Sequence, residues 1–312
     1  MCYIEDYTHD IDDCVGFVQH SKLDYAHSST CVLGTPSLRG CRSRGIYMRA
    51  STWRLTATAC VCVCTVRAKH ALSSITFFVA GESYGGALSL YVGLRMQQAS
   101  VASFGGVMLI APAITGALPP APVIWVLRNC CVPCFPTRYP FFMPNPVNPE
   151  AIWNDPSVRD AKAKDTMRWA ARTNGKFRLR TADQLLECTV QLQSMLSDVR
   201  FPWVAIHSAH DQAVLHDGSR LLFDCSATPD GEKKFYSLVH PPTAAAAAAA
   251  ASEARAGAAE GPPTTFDVVE TDVAEAHDLM SSRRAAEYTE LMLSFVRARC
   301  PAGSASSAAA AR

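Results

Sequence analysis

The sequence predicts an α/β fold, a mostly parallel sheet with flanking helices. Short apolar runs read as strands: Ile75-Thr76-Phe77-Phe78-Val79, Gly105 to Pro112, Phe201 to Ile206 and Phe235 to Val239. The run at 105–112 does not alternate with polar residues, as a parallel sheet covered on both faces requires. Helical patterns at 87–96, 182–197 and 284–299 separate such runs. A chain of 312 residues with 49% hydrophobic content is long enough for one large α/β domain with an inserted lid.

The first strand leads into Gly81-Glu82-Ser83-Tyr84-Gly85-Gly86-Ala87. Strand, tight Gly-x-Ser-x-Gly turn and helix form the context of a nucleophile elbow. Gly81 and Gly85 lack a Cβ, so the chain can reverse sharply and bring strand and helix together. The turn holds the Ser83 hydroxyl clear of the backbone at the positive end of the helix, within reach of a base. An ordinary glycine-rich loop has the same five-residue signature; the flanking elements and the extra Gly86-Ala87 argue against that.

These residues resemble the elbow of the monoglyceride-lipase and serine-aminopeptidase branch of the α/β-hydrolases, typically Gly-Glu-Ser-Met-Gly-Gly-Ala. The resemblance extends to Leu109-Ile110-Ala111-Pro112, where the family reads Leu-Ile-x-x-Ala-Pro in this neighbourhood. It extends also to Pro202 through Val214, against Pro-x-x-x-x-His-Gly-x-x-Asp-x-x-Val, with Ser208 in place of the glycine. The last strand, 266–270, leads to His277-Asp278-Leu279, similar to the family's catalytic histidine followed by one residue and leucine.

The resemblance implies a Ser83, Asp211, His277 triad in the hydrolase order, with the Tyr84 backbone N–H as an oxyanion donor. Asp217 and Asp224 are rival acids, though both look helical. His240, which also follows a strand, is the rival base. The implied reaction is hydrolysis of carboxylic esters through an acyl-enzyme, on monoacylglycerol or lysophospholipid-type lipids. A catalytically impaired lipid-binding or interaction protein, and a serine aminopeptidase-like peptidase, are the alternatives.

The implied architecture is a partial α/β-hydrolase fold with an inserted helical cap. Residues 1–20 resemble the family helix before the elbow strand. Residues 21–72 resemble nothing in the family and read as an irregular insertion, although alternation at 52–66 suits a strand. The core spans 73–300, with the cap at about 115–180 and an alanine-rich insert at 243–265. A disordered tail is expected at 301–312. The chain has no His-Gly dipeptide for a second oxyanion donor, and the resemblance covers roughly the C-terminal two thirds of a family domain. The N-terminal strands are therefore expected to be missing and the chain alone to be poorly active. Without them the elbow strand would be an apolar edge, an aggregation hazard.

The cap is rich in proline and aromatic residues, among them Trp125, Phe135, Tyr139, Phe141, Phe142 and Trp153. Such a stripe serves internal packing or the apolar underside of a lipid lid. Peripheral membrane contact through the cap is a corollary.

Lysine plus arginine (29) nearly balances aspartate plus glutamate (28), which leaves no field for nucleic acid. The acidic start argues against a signal peptide, and no apolar run suits a membrane-spanning helix. The 13 cysteines lack a disulfide framework, so a reducing compartment is expected, cytoplasmic or peripheral to a membrane. Asp12-Asp13, Cys60-x-Cys62-x-Cys64 and Cys130-Cys131-x-x-Cys134 lack metal-site spacing, and no metal or cofactor is expected.

Overall fold

The computed structural model describes residues 76–116, 120–139, 148–164, 177–241 and 266–300, together with the backbone of 61–65. The expectations for 1–20, 243–265, 301–312 and Phe141-Phe142 lie outside the described residues.

Six strands form one sheet in sequence order: β1 (Val61–Thr65), β2 (Phe77–Glu82), β3 (Phe104–Ile110), β4 (Trp203–Ser208), β5 (Lys233–Val239) and β6 (Asp267–Glu270). From β2 onward all neighbours run parallel. Strand β1 is antiparallel to β2, with Val63 opposite Val79. It falls inside the stretch read from sequence as an irregular insertion. Its backbone covers the flank of β2 that would otherwise be an open edge.

Helix α1 (Tyr84–Gln98) connects β2 to β3. Between β3 and β4 lie α2 (Ala121–Val126), a π turn at Leu127–Cys131, α3 (Val132–Cys134), α4 (Pro149–Ile152), α5 (Pro156–Lys164) and α6 (Leu179–Met195). Helix α7 (Asp217–Cys225) links β4 to β5, and α8 (Ala285–Arg299) follows β6. No helix among the described residues is long and apolar enough to cross a membrane.

The strands show why their sequences are continuously apolar. Successive side chains point to opposite faces of a sheet, and here both faces are covered. Phe77, Val79, Val107, Leu109, Trp203, Ala205 and Phe235 join one core cluster with Leu88 and Val92 of α1, Leu192 of α6 and Leu222 of α7. Phe78, Met108, Val204, Ile206, Tyr236 and Leu238 join the other, with Tyr288, Met292 and Phe295 of α8. Each such side chain contributes about 1.5–3 kcal/mol on full burial. This two-sided burial holds the carboxyl ends of the parallel strands in line, and the candidate site lies there.

Candidate active site

Ser83 sits between β2 and α1 with φ 57° and ψ −124°. A non-glycine residue at positive φ costs roughly 1–3 kcal/mol and persists only where its surroundings over-determine it. They do so here. Ser83 N–H donates to Ile110 O at 2.9 Å, while its carbonyl accepts from Gly86 N and Ala113 N, both at 2.9 Å. Ala111, next in line on the β3 side, is also at positive φ (42°), and its N–H donates to Ile206 O at 2.9 Å. The glycines permit the turn by close approach. A Cβ on Gly81 would lie 2.1 Å from Gly85 O, and one on Gly86 would lie 2.8 Å from Pro112. Helix α1 carries no acidic residue in its first turn, so its N-terminal dipole is not offset there. Tyr84 is its first residue. Among the described residues, the Ser83 hydroxyl takes part in no hydrogen bond.

Asp211 follows β4 and His277 follows β6. The structure brings them together: His277 Nδ1 lies 2.7 Å from Asp211 Oδ2, with both residues buried. The other carboxylate oxygen, Oδ1, accepts the N–H groups of Ala213 (2.8 Å) and Val214 (3.0 Å). Burial pushes the Asp211 carboxyl up, but hydrogen bonds from His207 and His277 outweigh it and hold the group well below the usual carboxylate range.

The rivals make other contacts. His240 Nδ1 is 2.9 Å from the Thr271 carbonyl, and its backbone N–H donates to His210 Nε2 at 3.2 Å. Asp217 and Asp224 both lie in α7, and Asp224 stands 4.0 Å from the Arg220 guanidinium.

Sequence reasoning passed over His207. Its Nε2 lies 3.1 Å from Asp211 Oδ2, and its Nδ1 lies 2.8 Å from Ser219 Oγ. The available signal was the histidine of the family motif over Pro202 to Val214, four residues before Asp211. Ser219 carried none.

The histidine loop is braced by the segment between β3 and β4. His277 N–H donates to Ala151 O (3.4 Å) and Asp278 N–H to Ile152 O (3.0 Å) at the end of α4. Asn154 Nδ2 donates to Ala274 O, and the Arg283 guanidinium pairs with Asp155 at 3.2 Å.

A family profile described as "Serine aminopeptidase, S33" matches residues 42–240. The chain belongs to this family. The match to the S33 hydrolases begins inside the stretch that sequence reading had set apart from the family. It includes Ser83, Tyr84 and Asp211 and ends before His277. Among solved structures, the S33 chain is similar to a Paleococcus ferrophilus monoacylglycerol lipase, at 12% identity and TM-score 0.49, over 70% of this chain and 67% of that one. It is also similar to a soluble variant of monoglyceride lipase from Saccharomyces cerevisiae in complex with a substrate analog. There the identity is 12% and the TM-score 0.46, over 69% of this chain and 60% of that one. The chain thus spans 60–67% of the length of these structures. A comparison with curated protein sequences finds no match.

Two further features surround the site of this S33 hydrolase. A cleft of about 390 Å³ is lined by Glu150 and Asn154 of the cap segment, by His210, Asp211 and Gln212, and by Glu275. On the cap, α2 and the turn after α3 expose Trp125 (62%) and Phe135 (57%), whereas Trp153 is buried. The aromatic stripe therefore divides between solvent and core. Cys130 and Cys134 are exposed free thiols and Cys131 is half-buried. Among the described residues no cluster of His, Cys, Asp or Glu could hold a metal ion.

Proposed function

We propose that this S33 hydrolase cleaves carboxylic esters of the monoacylglycerol or lysophospholipid type by acyl transfer through Ser83, His277 and Asp211. The observation that carries the reading is the buried 2.7 Å contact between Asp211 and His277. The two residues come from separate strand ends of the same parallel sheet as the Ser83 turn.

In this mechanism His277 donates its Nδ1–H to ionised Asp211, which leaves Nε2 unprotonated. Nε2 takes the Ser83 proton as Oγ attacks the ester carbonyl carbon. The oxyanion is met by the Tyr84 N–H at the start of α1; one such donor is worth about 10²–10³ in turnover. Collapse of the tetrahedral intermediate breaks the bond to the alcohol, which leaves with the proton from His277. Water, activated by the same imidazole, then hydrolyses the acyl-enzyme.

A lipid substrate is supported by the cap, where Val123, Trp125, Val126 and Phe135 are exposed. A helix that presents such side chains suits peripheral contact with a membrane surface. In this reading the protein works in the cytoplasm or at a membrane.

A second reading, aminopeptidase activity, is favoured by Glu150, which lines the cleft beside Asp211. A carboxylate there suits a free α-amine.

The test is labelling of the purified protein with a fluorophosphonate probe, beside Ser83→Ala. Labelling lost in the variant supports an activated Ser83. Turnover of 2-oleoylglycerol against an aminoacyl p-nitroanilide then separates the two activities. A soluble, folded and unlabelled protein would favour the lipid-binding alternative instead.

A further inference from the structure

We propose that His207 is a positioning residue, a hydrogen-bond donor that locks the Asp211 carboxylate in the orientation His277 needs. The inference rests on the reading of Asp211 and His277 as acid and base.

His207 belongs to β4 and its side chain is wholly buried. Its Nε2 lies 3.1 Å from Asp211 Oδ2, the same oxygen that faces His277 Nδ1. With Oδ1 held by two backbone N–H groups and Oδ2 by an imidazole on a rigid strand, the carboxylate plane cannot turn. A carboxylate on a loop otherwise rotates freely about its last torsion, and His277 would follow it. Pre-organisation of this kind matters because a misplacement of about 1 Å can cost about 10² in rate.

His207 Nε2 faces two acceptors, Asp211 Oδ2 and Val214 O at 3.3 Å, which places a ring hydrogen on it. Ser219, wholly buried in α7, places Oγ 2.8 Å from His207 Nδ1. With the ring hydrogen on Nε2, Nδ1 is free to accept the Ser219 hydroxyl hydrogen.

The charged and titratable groups around His207 are Asp211, His277 and, on the α7 side, His216, with ring centroids 5.5 Å apart. Asp217 and Arg220 act on His216 from the same helix. Burial and the neighbouring His207 push His216 down to about 4, so it adds no cation near neutral pH.

The experiment compares the full chain with His207→Phe, His207→Gln, Ser219→Ala and Asp211→Asn. It reads kcat and KM for p-nitrophenyl butyrate against pH, alongside thermal unfolding. In His207→Phe, kcat falls at least about tenfold with KM little changed, and the acid limb of kcat/KM moves to higher pH because Asp211 has lost a donor. His207→Gln places an amide N–H near Nε2 and restores most of the rate. Ser219→Ala leaves the Nε2 donor in place and keeps most of the rate. A folded His207→Phe with an unmoved pH profile, beside an inactive Asp211→Asn, overturns the inference and leaves the triad standing. A fully active Asp211→Asn overturns the triad itself. Nitrogen-15 correlation of the histidine rings near pH 7 tests His207 without turnover and without a variant. A hydrogen on Nε2 supports the inference; a ring that carries its hydrogen on Nδ1 alone overturns it.

Discussion

The indole N–H of Trp153 donates to Asp278 Oδ2 at 2.7 Å and thereby joins the cap to the loop that carries His277. Asp278 also accepts from Ser281 N and Ser281 Oγ, at 3.0 and 2.7 Å, which closes the turn after the histidine. The segment between β3 and β4 is thus a structural support for the candidate base. Trp153→Phe keeps most of the buried ring but removes the donor, at a cost of about 1.5–3 kcal/mol for a bond to a charged acceptor. Urea unfolding should show that loss, and kcat should fall by more than the loss of folded protein explains.

Asp211 sets an acid limit. Its folded-state pKa lies below the unfolded value, so its contribution to stability is present above about pH 4 and is lost as pH falls through the folded value. Asp211→Asn should therefore unfold more easily than the parent above about pH 4. The gap should narrow steadily in more acidic buffer. A constant gap across acid titration would contradict this sign.

His216 has the same sign in a different window. Burial and His207 lower it from 6.5 to about 4, so the folded protein resists a proton that the unfolded chain accepts. Its effect is absent above 6.5, and stability is lost as pH falls from 6.5 towards 4. His216→Gln cannot titrate but keeps a partner for Ser237 Oγ, which lies 2.9 Å from His216 Nε2. Its thermal midpoint should fall less steeply between pH 6.5 and 4 than that of the parent.

The elbow tolerates no added carbon at its entry. Gly81→Ala would drive a methyl group into the Gly85 carbonyl, which is backbone and cannot step aside. Overpacking of this kind costs about 1–3 kcal/mol or more. Probe labelling at Ser83 should disappear even in whatever fraction of the variant stays folded.

The cap helix offers a prediction with the opposite profile. Trp125→Ser combined with Phe135→Ser removes exposed apolar surface, so stability should stay within about 0.5 kcal/mol per site. Sedimentation with phosphatidylcholine vesicles should show weaker binding. Hydrolysis of a short water-soluble ester should be unchanged, while turnover of vesicle-borne monoacylglycerol falls.

Much of this protein is written locally. The strands β2 to β6, the helices α1, α6 and α8 and the Gly81-to-Ala87 turn are legible because periodicity, apolar runs and glycine sterics act over a few residues. Asp211 and His277 were legible as candidates through their resemblance to short family motifs that follow a strand. The sequence could not decide the pairing of β1 against β2, because a strand's neighbour depends on which sheet flank is left open. It also hid the brace from Trp153 to Asp278 and the sharing of Asp211 between His277 and His207, with Ser219 behind. The contacts of Trp153 with Asp278 and of His277 with Asp211 join residues far apart in the chain, and all of these distances exist only once both faces of the sheet are packed. Local preferences select the elements; the burial of one element against another decides which polar atoms meet.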